Sequence, residues 1–135
     1  MTNRDMIAGL VRSTYAARVR GDLDGTMVGF ADDAVFEFNG RSTGLPGMAG
    51  PVEGEAALRR VMQSFIDNFR FNDWQEISLI VDGDTAALHW RATVTTKAGK
   101  SAVFDVFDLI TVRDGKIATF RQSTDTALVK ALVGV

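Results

Sequence analysis

Three side chains in this sequence have the type and position needed for proton-transfer chemistry: Asp108, Asp125 and Tyr15. Asp108 interrupts the alternating row Ala102, Phe104, Val106, Ile110 and Val112, where every other member is apolar. A carboxyl group in such a row is desolvated, so its pKa rises. Once protonated, it can donate a hydrogen bond to an oxygen that is gaining negative charge. The other reading of the same position is structural, with Asp108 satisfied by a tyrosine, an arginine or backbone groups. Asp125 follows Gln122, Ser123 and Thr124, where the last strand gives way to a terminal helix. It suits either the N-cap of that helix or a general base at a pocket mouth, with the loop over residues 40–50 as lid. Tyr15 falls among core positions and either turns its hydroxyl to a ligand or sits at the edge of the core.

Such a set fits an acid–base enzyme acting on a small, largely apolar carbonyl compound, with Asp125 as base, Asp108 as proton donor and Tyr15 as helper. Enolisation needs only a placed base and an oxyanion donor, so no metal and no organic cofactor is expected. The remaining ionisable candidates fall out of phase with this row. His89, the single histidine, alternates onto the outer face with Arg91, where solvent or a dimer partner would meet it. Asp105 lies opposite to Asp108 along the same strand and reads as a surface or interface charge.

The elements that must hold these groups follow from periodicity. Residues 3–20 carry Ile7, Leu10, Val11, Thr14 or Tyr15, and Arg18 at helical spacing, with Asn3 or Asp5 available as cap and Gly21 as terminator. A short helix is expected over residues 22–31 and a strand over 34–39. Residues 40–51, rich in glycine and holding both prolines, form a long loop. Ala57, Leu58, Val61, Met62, Phe65 and Phe69 predict a helix over 53–69. Strands at 71–81, 85–96, 101–112 and 116–124, separated by turn signals, read as an antiparallel meander, and 127–133 as a closing helix. The whole is an α+β domain over residues 1–135, a curved antiparallel sheet wrapped by helices. Leu88, Trp90, Ala92 and Val94 face those helices. Thr14, Phe36, Phe38, Leu88, Trp90, Phe104, Val106, Phe120 and Gln122 are the expected lining of an internal pocket, although an ordinary filled core has the same composition.

Composition narrows the function. The chain has 135 residues, 46% hydrophobic and 24% charged, which suits one folded domain. With no cysteine and one histidine, neither a disulfide framework nor structural zinc is expected. A net charge of −2 and a pI near 5.3, with scattered Lys and Arg, argue against a nucleic-acid partner. Arg4, Asp5 and Arg12 break up the amino-terminal stretch, and no run of eighteen apolar residues occurs, so no membrane segment is expected and the protein reads as cytoplasmic.

Several segments also resemble a known family. Tyr15-Ala16-Ala17, Gly21-Asp22-Leu23-Asp24-Gly25 and Phe30-Ala31-Asp32-Asp33-Ala34 are similar to the opening of ketosteroid isomerase and of SnoaL-like polyketide cyclases. Gly50-Pro51-Val52-Glu53-Gly54-Glu55-Ala56 resembles the family's approach to its third helix, and Asp114-Gly115-Lys116-Ile117 its last β-turn. The resemblance implies the cone-shaped fold of nuclear transport factor 2 and a homodimer formed through the outer face of the sheet. It aligns Asp108 with the isomerase's oxyanion-hole acid, Phe38 with its catalytic base and Thr14 with its oxyanion tyrosine. Asp125 resembles the proton-transferring aspartate of the cyclases, whose preceding His-Trp pair reads Phe120-Arg121 here. The phenylalanine at the base position favours the rival reading of a non-catalytic ligand-binding module. A third reading is an interaction module with a filled core.

Overall fold

The computed structural model describes residues 2–134. Helix α1 (Asn3–Val19) starts at Thr2, whose hydroxyl accepts from the Asp5 amide while Asp5 reaches back to the Thr2 amide, a reciprocal capping box. The cap is therefore Thr2, with Asp5 as its partner, in place of the expected Asn3 or Asp5. Asp22 caps α2 (Leu23–Met27) through the Gly25 amide. This helix is shorter than expected, because Phe30 and Ala31 already belong to strand β1 (Phe30–Phe38), where Phe30 pairs with Ile117. The loop that follows holds a 3-10 turn at Arg41–Thr43 and a two-residue strand, β2 (Val52–Glu53), before α3 (Glu55–Asn68).

The meander consists of β3 (Phe69–Asp82), β4 (Thr85–Thr96), β5 (Ser101–Arg113) and β6 (Lys116–Thr124). Between β5 and β6, Asp114 and Gly115 both take positive φ (52° and 75°), the backbone of a tight turn whose twist matches the strands it joins. The six strands run in the order β2-β1-β6-β5-β4-β3. All neighbours are antiparallel except β1 and β6, which pair in parallel, a local departure from the all-antiparallel expectation. The sheet is curved and unclosed, and α4 (Thr126–Val133) follows β6 directly.

Alternation along β4 and β5 decides what faces the helices. Leu88, Trp90, Ala92 and Val94 are buried together with Phe104, Val106, Asp108 and Ile110. Against this face α1 packs Ile7, Val11 and Tyr15, and α3 packs Leu58, Met62 and Phe65. Trp90 is 1% exposed, and truncating such a side chain to alanine costs roughly 3–5 kcal/mol. No helix among the described residues is long and apolar enough to cross a membrane.

Candidate functional site

Strand register brings the first polar partners of Asp108 to its side. Asp108 pairs with Leu88 on one neighbour and with Gln122 on the other, and Trp90, two residues from Leu88, projects from the same face. Tyr15 descends from α1 to meet them. The Asp108 Oδ1 accepts from Gln122 Nε2 at 3.0 Å, and its Oδ2 accepts from Trp90 Nε1 at 3.0 Å and from the Tyr15 hydroxyl. The Tyr15 oxygen in turn accepts from Trp90 Nε1 at 2.9 Å and from Gln122 Nε2 at 3.1 Å. Both Asp108 and Tyr15 are buried, at 4% and 5% exposure, so the network works in a low dielectric where each bond is strong and each missing one costly.

Burial pushes the Asp108 carboxyl up to about 7, against the hydrogen bonds from Tyr15, Gln122 and Trp90 that favour its charged form. Burial and the neighbouring Asp108 raise the Tyr15 phenol well above its usual range. Trp74 stacks on the Tyr15 ring with centroids 5.2 Å apart. Its indole N–H is buried without an acceptor among the described residues.

Tyr15, Trp90 and Gln122 form one wall of a cavity of about 90 Å³ beneath the helices. Thr14, Phe36, Phe38, Phe104, Val106 and Phe120 also border it, with Arg18, Phe65, Val129 and Leu132. Asp108 does not border the cavity itself; its hydrogen-bond partners Tyr15, Trp90 and Gln122 do. Leu88, expected in the lining, does not border it: paired with Asp108, which does not border it either, it is packed in the core at 2% exposure. The volume is below the roughly 300–1,000 Å³ of pockets that hold drug-sized ligands.

Of the two roles open to Asp125, the structure displays the cap. Its side chain is exposed, accepts from the Leu128 amide at 3.0 Å, and is not among the residues around the cavity. Asp125 is therefore not brought to Tyr15 and Asp108. A residue in the N-cap conformation turns its oxygen back onto its own helix. His89 and Arg91 lie on the outer face, both bonded to Asp105 at 2.7 and 3.0 Å, and hold its carboxyl below the usual range. His89 also stacks on Phe107 at 4.4 Å. Among the described residues no cluster of His, Asp or Glu could hold a metal ion.

Arg18 is the site residue that sequence reasoning missed. It was visible as a charge on the core-facing stripe of α1, three positions after Tyr15, and it is buried at 7% exposure.

The SnoaL-like domain profile matches residues 11–120. No curated protein matches the chain. Among solved structures, a candidate isomerase from Bacillus subtilis superposes with a TM-score of 0.87 at 19% identity, covering 99% of this chain and 96% of that one. An NTF2-like protein of unknown function from Burkholderia pseudomallei gives 0.83 at 24% identity over 100% of both chains. A candidate polyketide cyclase from Xanthomonas campestris pv. campestris gives 0.78 at 22%, covering 98% of this chain and 99% of that one.

Proposed function

The chain belongs to the SnoaL-like domain family, and from that premise we propose that it binds a small, largely apolar carbonyl or polyketide-like compound and polarises its oxygen through the Tyr15 hydroxyl, as an isomerase or cyclase working by acid–base chemistry. The observation that carries this reading is the buried cluster of Tyr15, Asp108, Trp90 and Gln122 at the wall of an apolar cavity. With Asp108 neutral, its O–H is donated to the Tyr15 oxygen, and the Tyr15 proton is left for a ligand oxygen in the cavity. Water takes the carbon proton, because no carboxylate or imidazole is among the described residues bordering the cavity. As negative charge grows on the ligand oxygen, the Tyr15 proton moves to it and the Asp108 proton moves to Tyr15. The carboxylate that remains is held by Trp90 and Gln122, donors already in place, so little reorganisation is needed. Asp108 regains a proton from solvent after product leaves. With Asp108 ionised, the Tyr15 proton is spent on the carboxylate. Tyr15 is thus the catalytic residue and Asp108 the group that positions and supplies its proton.

The test is a turnover screen over unsaturated ketones and poly-β-ketones with wild type and Tyr15→Phe, which removes the hydroxyl alone. Loss of one oxyanion donor lowers kcat by about 10²–10³, with the circular dichroism spectrum unchanged. Turnover that survives in Tyr15→Phe at the wild-type rate would sink the assignment. A second reading, ligand binding without turnover, is favoured by one observation: no carboxylate or imidazole is among the described residues bordering the cavity. Under that reading the compounds shift the Trp90 indole resonance while no product forms.

Homodimerisation through the outer face of the sheet is part of the same proposal. Its support is the exposure there of Ile80, Val103, Phe107 and Leu109, at 62, 58, 52 and 47%, a patch of the kind that marks an association surface.

A further inference from the structure

A buried guanidinium normally faces a carboxylate, because a lone charge in a low-dielectric interior is costly. Arg18 departs from this rule. Its Nη2 donates to the carbonyl oxygens of Phe65 at 3.1 Å and Phe69 at 2.8 Å, at the C-terminal end of α3. Its guanidinium carbon lies 3.9 Å from the centroid of the Phe71 ring. The negative end of the helix dipole and the aromatic face offset part of the charge. Among the described residues no carboxylate pairs with it, and Nε and Nη1 have no acceptor there. Burial lowers the guanidinium to about 10, so Arg18 is still a cation at neutral pH. Its side chain borders the cavity that Tyr15 borders.

We propose that Arg18 recognises an anionic group on the ligand, so that the cavity selects small apolar acids (carboxylates or acidic enols and phenols) over neutral compounds of the same shape. The proposal rests on the reading of the cavity as a ligand site and adds to it the substrate class. Tyr15 and Arg18 are separated by three positions on α1, which puts their Cβ atoms roughly 5–6 Å apart. A single compact molecule can therefore place an acid group at Arg18 and a carbonyl oxygen at Tyr15. Asp108 is not among the residues bordering the cavity, whereas its partners Tyr15, Trp90 and Gln122 are.

The experiment compares carboxylates from acetate to benzoate, each against its primary amide, by titration of the Trp90 indole N–H resonance at pH 6. At that pH the probes are ionised and Asp108 is mostly neutral. A charge-assisted hydrogen bond from Arg18 predicts that wild type binds a carboxylate about tenfold or more tightly than its amide. Arg18→Met removes the preference, and Arg18→Lys retains part of it. Equal affinity for acid and amide in wild type, or a preference that persists in Arg18→Met, overturns the proposal and leaves the cavity as a ligand site. Failure of every acid and every amide to bind overturns both the proposal and the functional reading beneath it. Should Arg18→Met lose its fold with its ties to Phe65 and Phe69, the wild-type ratio and Arg18→Lys still decide the matter.

Discussion

Asp108 holds its proton up to about pH 7 in the folded chain because burial disfavours its charge more than Tyr15, Gln122 and Trp90 favour it. In the unfolded chain the same carboxyl titrates near the ordinary value of about 3.9. Between those two values the folded state binds the extra proton, so the contribution to stability is full below about pH 4 and is lost as pH rises through about 7. The loss is on the order of a few kcal/mol, since each unit is worth about 1.4 kcal/mol. Urea denaturation from pH 4 to pH 8 should therefore show a falling component that Asp108→Asn removes, because asparagine copies the neutral acid. An Asp108→Asn profile that falls as steeply as wild type would mean that Asp108 is not the group responsible. Asp108 was legible in the sequence because period-2 alternation makes one acid in an apolar row conspicuous. Arg18 was not singled out, since long basic side chains at the edge of a helix stripe usually extend to water. What keeps this one buried, the carbonyls of Phe65 and Phe69, comes from residues some fifty positions away.

At the level of elements, the meander was readable because each hairpin is closed by a local turn and each strand alternates. The parallel pairing of β1 with β6 was not, because it joins residues about eighty-five positions apart and no local signal specifies it. The end of α2 was overestimated for the same reason: Phe30 pairs with Ile117, and that tertiary contact overrides a weak helical pattern. At the other end of the chain, α4 supplies Val129 and Leu132 to the cavity wall and begins at Asp125. If Asp125 serves α4 as its cap, Asp125→Asn leaves both stability and turnover near wild type, because asparagine caps as well as aspartate. Asp125→Ala should lower stability by about 1 kcal/mol, read as a shift in the urea midpoint. A large drop in turnover for Asp125→Asn with an unchanged midpoint would return Asp125 to the role of base.

Considered as a whole, the molecule divides its chemistry between the two faces of one sheet. The inner face carries Asp108, Trp90 and Gln122 against the helices. The outer face carries His89 and Arg91, both bonded to Asp105, amid Ile80, Val103, Phe107 and Leu109. A twofold interface presents the same patch from both partners, and a stable one buries about 800 Å² on each side. Phe107 is the anchor of choice, being aromatic, half exposed and stacked on His89. In Phe107→Asp a second carboxylate would join Asp105 on the patch and face its own copy across the axis. Light scattering on eluted wild type should give twice the 14.6 kDa chain mass, and Phe107→Asp should give the single-chain value. Its thermal midpoint extrapolated to low concentration should match that of wild type, because the side chain leaves the inner core untouched. Wild type eluting as a monomer at tens of micromolar would remove the interface, and the exposed apolar patch would then need another partner.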